Sequence, residues 1–212
     1  WNDCLNLNCF SDTPGESFQT VENNDTGVAE SVFIGGMFVP YGSQYADILE
    51  HYGRLAGMSD AEIASEAASV RAEIGQVSKA VKTAGWDGEW FVRAYDAYSR
   101  KVGTHEDTEG QIGLDDGKAQ QAPKSVKERL TCDWGTAILA PAYSTYRIEL
   151  GEISSYPRGY KENGGIFCHN NPWISIANAI AGNDDEAFAI YQRNCPAYVE
   201  DKSDVRKVEP LF

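Results

Sequence analysis

Apolar residues recur at helical spacing over the first patterned stretch of the chain, from Val28 to about Tyr52. They return every three or four positions, which is the period of one face of an α-helix. Gly35 and Gly36 lie inside this stretch, and Pro40 follows them. Because proline removes a backbone donor and crowds the preceding turn, a kink or break stays open there. The pattern predicts a helix, whole or broken, over this stretch.

A second helix is marked at both its start and its end. Ser59 and Glu62 have the spacing of a capping box, and Gly85 suits the position just past a helix C-terminus. The apolar positions between them are Ile63, Ala67, Val70, Ile74, Val77 and Val81. This spacing predicts an amphipathic helix with one buried face.

The second half of the chain alternates helical patterns with long loops. The predicted elements are an aromatic loop or short hairpin at 85–103, helices at about 118–130, 171–182 and 183–195, and a long irregular stretch at 131–171. Asn171 as N-cap and Pro172 at the first helical position would start the helix at 171–182. Helices joined by loops of this length favour an all-α helical toroid over a bundle with short turns.

The charge balance narrows the classes of partner. Among 212 residues, 18 are Lys or Arg and 32 are Asp or Glu, which gives a net charge of −14. Nucleic acids and anionic lipid surfaces both require a basic face on the protein. No apolar run approaches the ~20 residues of a membrane span. The sequence therefore predicts neither a nucleic-acid partner nor a membrane partner.

Cysteine and aromatic content add two further expectations. Five cysteines are irregularly spaced and include no Cys-x-x-Cys pair, so we expect a reducing compartment, by default the cytoplasm, and no metal site. Aromatic residues make up 11% of the chain, with five Trp and eleven Tyr. Rings beside acids and amides are typical of sugar-binding clefts, although an ordinary aromatic core is the more common explanation of composition alone.

The first four residues contain a candidate general acid. Asp3 lies beside Trp1 in the sequence, and desolvation by an indole can raise the pKa of a carboxyl group until it holds a proton near neutral pH. The commoner role of a lone Asp after Asn is an exposed turn or cap.

Residues 149–173 contain candidate binding groups. Glu152, Tyr156 and Lys161 offer a carboxylate, a phenol and an ammonium to sugar hydroxyls, although charged residues in a Pro/Gly-rich loop are usually only solvated. His169 precedes the helix start predicted at Pro172, where the helix dipole and free N–H groups favour phosphate. A histidine that only forms hydrogen bonds within its loop is the more frequent case.

Three long stretches carry a resemblance to a known family. They are "WNDCLNLNCFSDTPGESFQTVENN", "GWDGEWFVRAYDAYSRKVG" and "GEISSYPRGYKENGGIFCHNNPW", and they resemble the catalytic domain of cellobiose phosphorylases, in glycoside hydrolase family 94. The resemblance implies that residues 1–212 are part of a single catalytic (α/α)6-barrel domain. It also implies that the family's N-terminal β-sandwich domain is absent from this chain and that the full-length protein is a homodimer.

The resemblance also implies an activity and a set of site residues. The reaction is the inverting phosphorolysis of cellobiose to α-glucose 1-phosphate and glucose, with inorganic phosphate as co-substrate and no other cofactor. The implied roles are general acid for Asp3, donor-sugar binding for Trp1, acceptor-sugar binding for Glu152, Tyr156 and Lys161, and phosphate binding for His169.

The chain also departs from the pattern of that family. Relatives carry an Arg and an Asp before the Trp-Asn-Asp motif and a Thr-Gly pair beyond "EP", and an apolar stretch is expected where "QIG" joins "LDD". Two alternatives therefore stay open. One is a fragment that binds sugar or serves as a structural subunit without catalysis, and the other is a relative that acts on cellodextrin or cellobionic acid.

Overall fold

Helices dominate the part of the chain that the computed structural model describes, which is residue 7 and residues 12–14, 29–104 and 120–204. The helices in these ranges are α1 (Val32–Tyr52), α2 (Asp60–Thr83), α3 (Gln121–Arg129), α4 (Asn170–Ile180), α5 (Asp184–Arg193) and α6 (Pro196–Lys202). The short strands are β1 (Glu30–Ser31), β2 (Ala94–Tyr95), β3 (Lys101–Val102), β4 (Thr131–Cys132) and β5 (Gly135–Thr136). The mostly helical class agrees with the sequence. The described residues do not close a ring of helices, so the barrel itself stays a prediction.

α1 is one helix rather than two. It begins at Val32, after the two residues of β1, and the Ser31 hydroxyl caps it by accepting a hydrogen bond from the Ile34 N–H at 3.1 Å. The helix continues through Pro40, which lies on its exposed side. There, the carbonyl that loses its partner to proline can be solvated by water. The predicted helix is confirmed, and the break that the sequence left open is absent.

α2 confirms the capping box. The Ser59 hydroxyl accepts from the Glu62 N–H at 3.3 Å, and the Glu62 carboxylate accepts from the Ser59 N–H at 2.8 Å. Gly85 follows the C-cap residue Ala84 as expected. Glycine is required at this position because Val32 lies so close that a β-carbon at Gly85 would be 2.9 Å from its Cγ1 atom.

α1 and α2 form an antiparallel pair in which glycines of α1 let the two helices approach closely. Gly35 faces Val81 and Gly42 faces Ile74, and a β-carbon at either glycine would lie 3.2 Å from that side chain. A different side of α1 carries an exposed apolar stripe. Its members are Ile34, Tyr41, Tyr45, Ile48, Tyr52 and, just beyond the helix, Leu55, which are 46% to 85% exposed.

The aromatic stretch at 85–103 forms a hairpin, which was one of the two predicted forms. β2 pairs antiparallel with β3, and β1 adds to the other edge of β2. The turn is held by Asp96, whose side chain is 3% exposed and pairs with the Arg100 guanidinium at 2.6 Å. Trp90, Phe91 and Val92 are buried before β2. Phe91 and Val92 share a core with Val32 of α1 and Val81 of α2.

The C-terminal helices form a second layer. α4 packs on α5, where the Ser175 hydroxyl donates to the Ala187 carbonyl at 2.7 Å. Lys127 of α3 pairs with Glu186 of α5 at 2.5 Å, and Phe33 of α1 stacks on Trp173 of α4 at 5.9 Å between ring centroids. The helices predicted at 118–130, 171–182 and 183–195 are confirmed, whereas α6 was not foreseen. Within the described ranges, no helix is both long and apolar enough to cross a membrane.

Candidate active site

Two backbone segments run antiparallel through the long irregular region, and the described candidate residues lie on them or in the adjoining loop at 151–161. Segment 163–171 lies against segment 136–143, and we call this pair the site ladder. Its contacts join Asn163 to Tyr143, Gly165 to Ile138, Ile166 to Ala137 and Asn171 to Thr136. Because the loop at 151–161 enters the ladder at one end and α4 leaves it at the other, the ladder fixes both.

Asn163 fixes the end of the ladder nearest the 151–161 loop. The residue is fully buried, and its side-chain oxygen accepts from the Tyr143 N–H at 2.8 Å. Its amide nitrogen donates to the carbonyls of Tyr143 at 3.0 Å and Tyr156 at 2.7 Å. One amide side chain thus pairs with both polar backbone groups of Tyr143 and also holds the backbone of Tyr156.

Asn171 fixes the other end of the ladder, where α4 begins. Its side chain accepts from the Thr136 N–H at 2.9 Å and donates to the Thr136 carbonyl at 3.0 Å and the Phe167 carbonyl at 2.8 Å. The prediction of Asn171 as N-cap is therefore wrong. α4 begins at Asn170 with His169 in the N-cap position, two residues before the predicted start at Pro172, and the Asn171 side chain bonds to Thr136 of β5 instead of capping the helix.

Tyr156 and Lys161 are brought together in the loop. The Lys161 Nζ lies 5.2 Å from the ring centroid of Tyr156 and 5.6 Å from that of Tyr160. The two rings meet edge to face with centroids 6.1 Å apart. Lys161 has a left-handed backbone φ of 46°, a conformation that non-glycine residues adopt at a cost and that is enriched at functional sites.

Glu152 lies at the entrance of the same loop, in the short 3-10 turn Gly151–Ser154. It is half-buried, and its carboxylate accepts a hydrogen bond from the Ser155 hydroxyl at 2.8 Å. The turn is itself fixed, since the buried Ser154 hydroxyl donates to the Gly151 carbonyl at 2.7 Å and accepts from the Arg147 N–H at 2.8 Å. The carboxylate is therefore held in place at the start of the loop that bears Tyr156 and Lys161.

His169 lies at the start of α4, at the far end of the ladder. Its ring is exposed and meets the Phe167 ring edge to face, with centroids 5.3 Å apart. Burial raises the pKa of the neighbouring Cys168 thiol. A thiol with a raised pKa is a poor nucleophile near neutral pH, so the structure favours a packing role for Cys168.

Two site features were not foreseen in the sequence. One is the pair of buried amides, Asn163 and Asn171, of which Asn163 had a signal in the Asn-Gly turn dipeptide it forms with Gly164. The other is Tyr160, for which the only signal was a second Tyr close to Tyr156 in "SYPRGYK".

Glu162 was also overlooked. One of its carboxylate oxygens is buried without a hydrogen-bond partner. Buried polar atoms of this kind are rare in proteins and often mark functional sites or water sites.

The two residues assigned to the donor side, Trp1 and Asp3, lie outside the described residues. The described part of the site therefore holds the groups predicted to bind acceptor sugar and phosphate. In that part of the chain, no group of three or more metal-ligating side chains occurs.

Comparison with known proteins finds a family model that matches this chain. A profile described as "Glycosyl hydrolase 94 superfamily, catalytic domain" matches residues 1–212. The chain is 32% identical over 147 residues to a solabiose phosphorylase of Paenibacillus borealis, covering 64% of this chain and 19% of that protein. It is 27% identical over 224 aligned residues to an N,N'-diacetylchitobiose phosphorylase of Vibrio proteolyticus, covering 99% of this chain and 24% of that protein.

A third relative differs again in its named substrate. It is a 3-O-beta-D-glucopyranosyl-beta-D-glucuronide phosphorylase of Paenibacillus borealis, 26% identical over 148 residues, covering 65% of this chain and 19% of that protein. The chain thus spans about a quarter or less of the length of these three relatives.

Proposed function

The chain belongs to the glycosyl hydrolase 94 superfamily, and on that premise we propose that it forms part of the active site of an inverting disaccharide phosphorylase. The observation that carries this proposal is the site ladder. It places a loop with Glu152, Tyr156 and Lys161 at one end and the start of α4 with His169 at the other. A phosphorylase needs both of these functions, a sugar-binding loop and an anion site.

The loop supplies the acceptor site in this proposal. Glu152 accepts hydrogen bonds from sugar hydroxyls, Lys161 donates to them, and the Tyr156 ring covers an apolar C–H face of the sugar. A carboxylate and an ammonium together leave the site without a large excess of either charge. This suits a neutral acceptor such as glucose.

The start of α4 supplies the phosphate site. The helix dipole and the unpaired N–H groups of a first turn favour an anion, and His169 adds a donor at the N-cap position. Inverting hydrolases need a second carboxylate to activate water. Phosphate is already nucleophilic, so a phosphorylase can use groups that bind the anion in place of that base.

Asp3 supplies the proton in this proposal. A phosphate oxygen attacks the anomeric carbon of the donor sugar, and the glycosidic C–O bond breaks. The leaving oxygen takes the proton of the Asp3 carboxyl group. Trp1 stacks beside the donor ring. With cellobiose as substrate, the products are α-glucose 1-phosphate and glucose.

Cellobiose is the substrate we propose, although the three relatives are named for other substrates. Cellodextrin and cellobionic acid are the alternatives to be tested in an acceptor panel. We also propose that the full-length protein is a homodimer, which light scattering can test. A second candidate is a sugar-binding or structural fragment that does not catalyse.

The test uses the complete polypeptide in which this sequence occurs. We expect glucose 1-phosphate to form from cellobiose and phosphate, and Asp3→Asn to lower kcat by about 10²- to 10⁴-fold through loss of the general acid. Asp12→Asn removes an exposed carboxylate from the same N-terminal stretch and serves as the matched control.

An Asp3→Asn loss of less than tenfold would show that the acid is another residue. Calorimetric binding of glucose without any product formation would favour the sugar-binding fragment instead.

A further inference from the structure

The Lys161 ammonium is held by two tyrosine rings. Its Nζ lies within 6 Å of the centroids of both Tyr156 and Tyr160, the range in which the negative face of an aromatic ring attracts a cation. In the described ranges, no carboxylate lies within salt-bridge distance of this ammonium. The rings therefore compete directly with any anionic ligand for it.

We propose that Tyr160 is a specificity-determining residue of the acceptor site, which keeps the Lys161 ammonium against the rings and so favours neutral sugars over sugar acids. This inference rests on the proposed function, because it assigns a role within that same acceptor site. It concerns the choice between acceptors and leaves the reaction itself unchanged.

The two rings differ in how freely they can be altered. Tyr156 is half-buried, and its carbonyl is bonded to the buried Asn163 side chain at 2.7 Å. Tyr160 is 53% exposed and meets the other ring only at an edge. Tyr160 is therefore the ring whose loss changes the surroundings of the ammonium with little damage to the scaffold.

The backbone of Lys161 supports the same conclusion. Its left-handed φ of 46° is held by the turn in which the Asn163 N–H donates to the Tyr160 carbonyl at 3.0 Å. A further bond runs from the Gly165 N–H to the Lys161 carbonyl at 2.9 Å. Because the backbone is fixed, the position of the Lys161 ammonium depends on its side-chain torsions, and the two rings favour torsions that keep it against them. Without the exposed Tyr160 ring, the ammonium can extend toward the carboxylate of a sugar acid.

The competition gives a testable shift in selectivity. Glucose and glucuronate differ only in a hydroxymethyl and a carboxylate group, so they are a matched pair of acceptors for synthesis from α-glucose 1-phosphate. We expect Tyr160→Leu to raise the ratio of kcat/KM for glucuronate to that for glucose about two- to fivefold, the size of one exposed cation–π contact. The change should appear mainly in KM. If glucuronate is not turned over, its inhibition constant against glucose gives the same ratio.

Two variants separate this role from a general effect on structure. Tyr160→Phe keeps the ring and should restore the wild-type ratio. Tyr198→Leu removes the ring of another aromatic–ammonium pair, with Lys202 at 4.4 Å on α6, and should leave the ratio unchanged. An unchanged ratio in Tyr160→Leu, or an equal shift in Tyr160→Phe, overturns the inference.

A second readout does not depend on turnover. In protein with ¹³C-methylated lysines, the Lys161 signal, assigned by its loss in Lys161→Arg, should be displaced by ring currents. It should return toward an ordinary lysine position in Tyr160→Leu. An undisplaced wild-type signal overturns the inference whether or not the protein is active. If the wild type makes no glucose 1-phosphate with any sugar, the proposed phosphorylase function fails separately, and calorimetric affinities for the two acceptors then replace the kinetic ratio.

Discussion

Replacing Asn163 with alanine removes three buried hydrogen bonds in one step. The bonds run from the Tyr143 N–H to the side-chain oxygen, and from the amide nitrogen to the carbonyls of Tyr143 and Tyr156, at 2.8, 3.0 and 2.7 Å. Asn163 is fully buried, so the three backbone groups lose their partner in a place that bulk water does not reach.

The size of the effect follows from these bonds. Each is worth about 1 kcal/mol net, and each buried group left unpaired costs about 1–3 kcal/mol. Because the vacated space is polar and large enough for a water molecule, part of this loss can be recovered. We expect the local free energy of opening to fall by about 3 kcal/mol, which is a large share of the 5–15 kcal/mol of a typical domain.

Hydrogen exchange is the suitable assay, because it reports opening of one region in a protein of any size. The amide of Tyr143 and those of residues 156 and 158–165 should exchange about 100-fold faster in Asn163→Ala, since 1.4 kcal/mol is a factor of ten. Asn194→Ala is the matched control, because it loses one 3.3 Å bond to the Cys168 carbonyl. Exchange at Tyr143 that is no faster in Asn163→Ala than in the control would refute the assignment of Asn163 as the residue that fixes the ladder.

Two further predictions concern positions where the backbone or a single carboxylate decides the outcome. Gly165→Ala should destabilise the protein by about 2 kcal/mol or more, because the new β-carbon collides with the Lys161 carbonyl. Gly75→Ala, in open space on α2, should stabilise the protein by up to about 1 kcal/mol. Thermal melts that rank the stabilities of the two variants the other way contradict this. Hydrogen bonds from the Ser59 N–H and hydroxyl lower the pKa of Glu62 below its ordinary 4.5, so its contribution to α2 is complete above that pH and is lost as the pH falls through the lowered value. Glu62→Gln should therefore flatten the loss of helical circular dichroism below pH 4.5, and an identical acid profile would show that the capping box does not contribute.

The helices were the most predictable part of the fold, because spacing and caps are local properties of the sequence. Ser59 and Glu62 located the start of α2, and their reciprocal bonds are present. The sequence could not tell which side of α1 is buried, since apolar residues occur on several of its faces. In the structure, glycines such as Gly42 form the packed side, and Tyr41 and Tyr52 are more than half exposed. Tertiary packing made that choice, and periodicity does not encode it.

The candidate binding residues of the site could be predicted from the sequence, but the contacts that hold them in place could not. Tyr156 and Lys161 were named together from their motif, and the structure places them in contact. Asn171 was misassigned because a sequence shows that an amide precedes a proline, but not that β5 lies within its reach. Asn163 was overlooked for the same reason, since its partner Tyr143 is twenty positions away.

We expect the site ladder to make its two ends thermodynamically dependent on each other. A ligand that stiffens the Asn163 end reduces the conformational entropy that remains to be lost at the Asn171 end, and the reverse holds by the same amount. We therefore expect acceptor sugar and phosphate to bind with positive cooperativity, although neither needs to touch the other. Titration of one ligand at several fixed concentrations of the other measures this coupling. Independent affinities would mean that segment 163–171 is already rigid before either ligand arrives.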